Sequence, residues 1–175
     1  MRHLRRGVLF VLGLAFFSAV AASPLKAGVI MVSPTAFDLG DTFINHKYLA
    51  FDQYLSMISW DPNYSNTPAF FYAPLNLPQG AALKRFIIYC LDDSDAATDY
   101  VTVAIKRVNV LTGAAEYVAS LSTVALAASS DHAALITKSL AHRVVNNKQY
   151  TYCLEVQFPP LCTSLVQLCG VRIEW

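Results

Sequence analysis

The chain has 175 residues, 55% of them hydrophobic, and its 13 Lys and Arg against 12 Asp and Glu give a formal charge of +1. That balance leaves no basic footprint for nucleic acid, and the length suits one domain with a substantial core. No internal repeat, heptad or linker divides the sequence.

The N-terminus has the layout of a secretory signal peptide. Arg2, Arg5 and Arg6 form a positive n-region, Gly7 to Val20 is almost wholly apolar, and small residues follow at Ala19, Ala21, Ala22 and Ser23. The apolar run is short against the ~20 residues that a membrane span needs, which disfavours an uncleaved anchor. Cleavage is expected between Ala21 and Ala27, most simply after Ala21 or Ala22. Residues 1–22 are thus assigned to the signal and residues 23–175 to the folded domain, secreted or periplasmic and not bound to membrane. The remainder carries 10 Lys and Arg against 12 Asp and Glu, a net charge of −2.

In chain order, residues 28–33 read as a strand ended by Pro34. Residues 47–60 fit either a helical face or a strand face, and a strand is preferred over residues 54–60. A loop rich in turn formers follows at residues 61–68, then a strand at 69–75. Pro78 and Gly80 mark a turn. Phe86 to Leu91 is an unbroken apolar run bounded by turn signals, the pattern of a buried strand. Val101, Val103 and Ile105 alternate with Thr102, Ala104 and Lys106, the period of a half-buried strand. Further strands are expected at residues 116–123 and 134–140. At 150–158, Tyr150, Tyr152, Leu154, Val156 and Phe158 face inward and Thr151, Glu155 and Gln157 outward. The last strand covers residues 167–175. Eight or nine short strands without a long amphipathic helix predict an all-β, single-domain β-sandwich, for which a jelly roll is one form.

Four segments carry a resemblance. They are Ala73-Pro-Leu-Asn-Leu-Pro-Gln-Gly-Ala81, Tyr89-Cys-Leu-Asp-Asp-Ser94, the strand from Asn147 to Val156, and Gly170-Val-Arg-Ile-Glu-Trp175. Together they resemble a family of uncharacterised exported bacterial all-β proteins. That family shows an LP-x-GA turn, an N-x-x-Y-x-Y-x-L-x-V strand and a terminal GVRIEY-like strand. The resemblance implies an all-β sandwich and brings no activity with it.

The four cysteines, Cys90, Cys153, Cys162 and Cys169, all lie beyond the signal, and an exported protein with an even cysteine count is a disulfide candidate. Of the three connectivities, Cys90–Cys153 with Cys162–Cys169 is preferred: Cys153 shares the outward phase of its strand, and Cys162 and Cys169 flank a short loop. Buried free thiols are the other reading.

The loop from Asp92 to Asp99 is the foremost candidate site. Asp92, Asp93, Asp95 and Asp99, with Ser94 and Thr98, offer the oxygens that Ca²⁺ prefers, although the sequence lacks the glycine and closing glutamate of an EF-hand. The same residues dominate ordinary turns. A second candidate is a ligand platform around the 61–68 loop formed by Trp60, Tyr64 and Tyr72, because aromatic faces stack on flat apolar partners. Glu155 and Glu174 are the pair that could meet as glycosidase carboxylates, with exposed strand faces as the plainer reading. His46, His132 and His142 show no zinc spacing. No G-x-S-x-G and no phosphate-binding glycine motif occurs. The expectation is a non-enzymatic binding or structural module with a glycan or protein partner and no cofactor apart from Ca²⁺ at the Asp loop. A carbohydrate-binding module with a Ca²⁺-stabilised loop is the second reading, and a hydrolase with a dispersed site the third.

Overall fold

In the computed structural model of the chain, the described residues are 27–39, 46–50, 55–59, 68–96, 98–160, 162 and 165–175. The expected signal peptide therefore lies outside them. Among them are eleven strands: β1 (Val29–Val32), β2 (Asp38–Leu39), β3 (His46–Ala50), β4 (Leu55–Ser59), β5 (Ala69–Leu75), β6 (Arg85–Asp92), β7 (Thr102–Asn109), β8 (Ala115–Ser122), β9 (Ser129–Thr137), β10 (Tyr150–Phe158) and β11 (Val166–Glu174). All nine expected strands are present, and β2 and β3 are additional.

The strands form two antiparallel sheets. One runs β3-β4-β11-β6-β9, with β1 also paired to β11, and the other runs β2-β5-β10-β7-β8. From β4 onward, the order β4-β11-β6-β9 in one layer and β5-β10-β7-β8 in the other is that of a jelly roll. Strand β9 starts five residues before the expected one and ends three earlier. Ser129 to Asp131 look like loop residues, yet Ser129 pairs with Asp92, while Leu140 leaves the sheet and is buried from the following loop.

The core lies between the sheets and is built by period-2 alternation. Val101, Val103, Ile105, Tyr152, Leu154, Val156 and Phe158 are buried as their alternation predicts, Tyr150 is half-buried, and Phe86, Ile88, Val171 and Ile173 complete the core. Phe71 and Phe158 meet edge to face across β5 and β10, with ring centroids 5.9 Å apart.

At one end of the sandwich, two turns that were read separately in the sequence interlock. Gly80 takes φ 78°, the left-handed conformation that glycine tolerates, and its N–H donates to the Val145 carbonyl at 2.9 Å. The Asn147 amide donates to the Leu77 carbonyl at 2.7 Å, and the Tyr152 hydroxyl accepts from the Asn146 N–H at 2.9 Å. The LP-x-GA turn and the N-x-x-Y-x-Y strand start are thus one structural unit.

The disulfide expectation is corrected. Strand β6 lies in one sheet and β10 in the other. Cys90 is fully buried, whereas Cys153 sits on the outward phase of β10 opposite Pro74 and Lys106. Sheets pack about 10 Å apart, so two such thiols exceed the Cα separation of about 4.4–6.8 Å that a disulfide needs. All four cysteines are free, Cys162 and Cys169 included. The outward phase of Cys153 was read correctly, but the strand beside β6 is β11, which brings Cys169 near Cys90 at a bulge between Leu168 and Gly170.

Strand β1 closes against the C-terminus through Gly28, whose N–H donates to the Trp175 carbonyl at 2.9 Å. A Cβ on Gly28 would stand 2.4 Å from the Trp175 indole. Gly28→Ala is therefore expected to displace that ring and cost about 1–2 kcal/mol in urea unfolding. A loss below about 0.5 kcal/mol, the range of a neutral surface change, would show that the indole is not fixed there.

Candidate functional site

The outward face of the five-stranded sheet holds a polar cluster between aromatic rings. Glu155 on β10 lies directly between Tyr72 on β5 and Ala104 on β7, and Cys153, two residues away, lies between Pro74 and Lys106. Opposite residues share a face, so Tyr72, Glu155 and Lys106 point the same way.

The fourth member arrives through a bulge. The β7–β8 register shifts between Ile105 and Lys106, so that Ile105 faces Ala119 while Lys106 faces Tyr117. Val118 and Ala119 are consequently both buried, and Tyr117 turns onto the outer face, where it is 56% exposed. Regular alternation would have sent Tyr117 inward. Re-aiming a side chain is a known use of bulges.

Three donors converge on Glu155, which is only 4% exposed. The Tyr72 hydroxyl donates to Oε2 at 2.9 Å, and the Tyr117 hydroxyl donates to Oε1 at 3.1 Å. The Lys106 ammonium forms a salt bridge with Oε2. Lys106 Nζ also lies 5.0 Å from the Tyr117 ring centroid and 6.0 Å from that of Tyr72, within cation–π range. Burial pulls the Lys106 pKa down, but the hydrogen bond and charge of Glu155 outweigh it, and the net shift is upward. Burial, then the bond to Glu155, pushes the Tyr72 phenol up to about 12. Burial likewise raises the Cys153 thiol, against the pull of Lys106. Three donors thus meet on one carboxylate, which anchors the two rings and the ammonium.

The other sequence candidates are distributed elsewhere. Trp60 and Tyr64 lie outside the described residues, so of the expected platform only Tyr72 is placed, on the outer face. Glu155 and Glu174 do not meet: they belong to different sheets, and Glu174 is held by Arg85 at 2.6 Å and Arg172 at 2.8 Å. In the Asp loop, Asp92 and Asp99 are buried while Asp93 and Asp95 are exposed. The Ser94 N–H donates to Asp92 at 3.4 Å, and the Ser94 hydroxyl donates to Asp99 at 2.9 Å. Those are turn-type bonds. Among the described residues, no three His, Cys, Asp or Glu side chains gather as a metal site. His142 contacts Glu116 at 3.4 Å.

Sequence reading placed Glu155 on the outward phase but did not single out Lys106 or Tyr117. The adjacent apolar pair Val118-Ala119 inside a strand was the available sign of a bulge.

No protein-family model matches the sequence, and no curated protein matches it. Solved structures do share its architecture. One is the C-terminal CBM6 module of LamC, a laminarinase from Zobellia galactanivorans, with 10% identity, a TM-score of 0.50, and coverage of 85% of this chain and 100% of that one. Another is an isomalto-dextranase from Arthrobacter globiformis T6 complexed with panose, with 7% identity and a TM-score of 0.50. That match covers 83% of this chain but 23% of the enzyme, so this chain spans under a quarter of its length. At these identities the likeness shows the β-sandwich fold.

Proposed function

We propose that the chain is a non-catalytic binding module of an exported protein, and that it binds carbohydrate across the outer face of the five-stranded sheet. The observation that carries this reading is the Tyr72–Lys106–Glu155–Tyr117 cluster. Two rings flank a charged pair whose geometry is fixed by three hydrogen bonds to one carboxylate. Aromatic rings offer apolar faces to the C–H faces of a sugar, while neighbouring polar atoms take its hydroxyls. The fold adds support, since one structural neighbour is a carbohydrate-binding module and another belongs to a dextran-degrading enzyme. The engagement of Glu155 by three donors supports binding over hydrolysis, which asks for two carboxylates with separate acid and base roles.

A glycan array of α- and β-glucans, probed with the mature protein, tests this. Tyr117→Ala should reduce affinity for the bound glycan about tenfold, the worth of one stacking contact. Its thermal midpoint should stay close to wild type, because the ring is more than half exposed. Undiminished binding by the variant would remove the outer face from the reading.

A further inference from the structure

A second polar site lies at the end of the sandwich, away from the outer-face cluster. It is an open groove of about 620 Å³ lined by Arg107, His142, Arg143, Gln79, Gln149 and Tyr150, among others. Its scaffold is tied on both sides. The Ala141 N–H donates to the Val118 carbonyl at 2.8 Å, the Leu83 N–H to the Arg143 carbonyl at 2.8 Å, and the Val145 N–H to the Ala81 carbonyl at 2.9 Å. Between these ties, His142 adopts φ 50°, the one non-glycine residue in the left-handed region among the described residues. Such a conformation in a well-anchored loop often marks a functional position.

The groove is cationic. Arg107 stacks on Tyr150, its guanidinium carbon 4.1 Å from the ring centroid, and its Nε donates to Glu116 at 2.8 Å. Glu116 also faces His142 at 3.4 Å. Arg143 donates to the Lys138 carbonyl at 3.0 Å and has no carboxylate partner among the described residues. Glu116 balances Arg107, so Arg143 gives the groove its net positive charge. A preorganised guanidinium fork matches a planar or tetrahedral oxyanion, and flanking amides suit hydroxyl groups.

We infer that this groove binds the anionic group of an acidic saccharide, a uronate carboxylate or a sulfate ester, with Arg143 as the anion ligand and Arg107, paired with Glu116, as part of the wall. The saccharide identity rests on the proposed function, while the anion recognition does not. Lys106 on the outer face is paired with Glu155 and Arg107 with Glu116, so Arg143 is the cation that distinguishes the groove.

The test is calorimetric titration of the mature protein with three probes: a galacturonic acid hexamer, a sulfated glucan oligosaccharide and a neutral glucan hexamer. At least one acidic probe should bind, and which one does identifies the anion. Its affinity should fall steeply as NaCl rises. Arg143→Gln should weaken it at least tenfold and Arg143→Lys less, with both variants retaining the wild-type melting temperature. Failure of both acidic probes, or equal binding by Arg143→Gln, would overturn the inference. If the neutral probe alone binds and depends on Tyr117, the groove is wrong and the outer face stands. If only an acidic probe binds and depends on Arg143, the groove stands and the outer-face reading fails.

Discussion

Glu155→Ala is expected to destabilise the domain by about 3 kcal/mol, because it strands the charge of Lys106 in a largely buried setting. The side chains of Glu155 and Lys106 are 5% and 19% exposed. The remaining exposure of Lys106 places the effect toward the lower end of what a broken buried pair costs. The Tyr72 and Tyr117 hydroxyls lose their acceptor in the same substitution. Adding Lys106→Met should recover much of the loss, since replacing both partners removes the unpaired charge. Urea unfolding of both variants checks this. A loss below about 0.5 kcal/mol for Glu155→Ala would mean that the cluster contributes no more than an exposed ion pair. The single variant should also abolish glycan binding, because both rings would lose the anchor that orients them.

The domain is also expected to lose stability in mild alkali. Burial, with smaller help from Cys169 and Asp92, raises the Cys90 thiol from 9.0 to about 12. Burial raises the Cys169 thiol from 9.0 to about 11, and Tyr72 stands at about 12 against 10.0. In each case the folded state holds its proton more tightly than the unfolded chain. Their contribution is therefore complete below pH 9 and is lost as pH rises from 9 to 12, where the unfolded chain deprotonates first. By pH 11 Cys90 alone should remove on the order of 3 kcal/mol. Melting temperatures at pH 8 and pH 11 should differ accordingly, and Cys90→Ala should flatten the alkaline slope. An unchanged slope in that variant would contradict the burial of Cys90.

What the sequence made legible follows from what local patterns encode. Period-2 alternation at Val101 to Ile105 and at Tyr150 to Phe158 defined strand phase, and the positions inferred from it as inward are buried except Tyr150, which is half-buried at the start of β10. Phase also put Glu155 and Cys153 outward. Strand neighbours are different, because pairing between distant segments leaves no local mark. Cys90 and Cys153 were matched by phase and spacing, yet β6 lies between β11 and β9 while β10 lies between β5 and β7. The cluster around Glu155 depends on the same non-local order: Tyr72, Lys106, Tyr117 and Glu155 come from four strands. It also depends on a bulge, which breaks alternation and moved Tyr117 out of the phase a regular strand predicts. The Asp loop drew attention because its composition suits both a cation and a turn. In the structure Asp92 and Asp99 bond Ser94 as turn residues do.

The measurement that bears most directly on a saccharide-binding outer face is a ¹⁵N-HSQC titration of the protein with the best-bound glycan of the array. Perturbations should centre on Tyr72, Lys106, Tyr117 and Cys153 and fade toward the core of β10. Perturbations confined to the β4-β11-β6-β9 sheet, or a spectrum unmoved by any glycan, would contradict it.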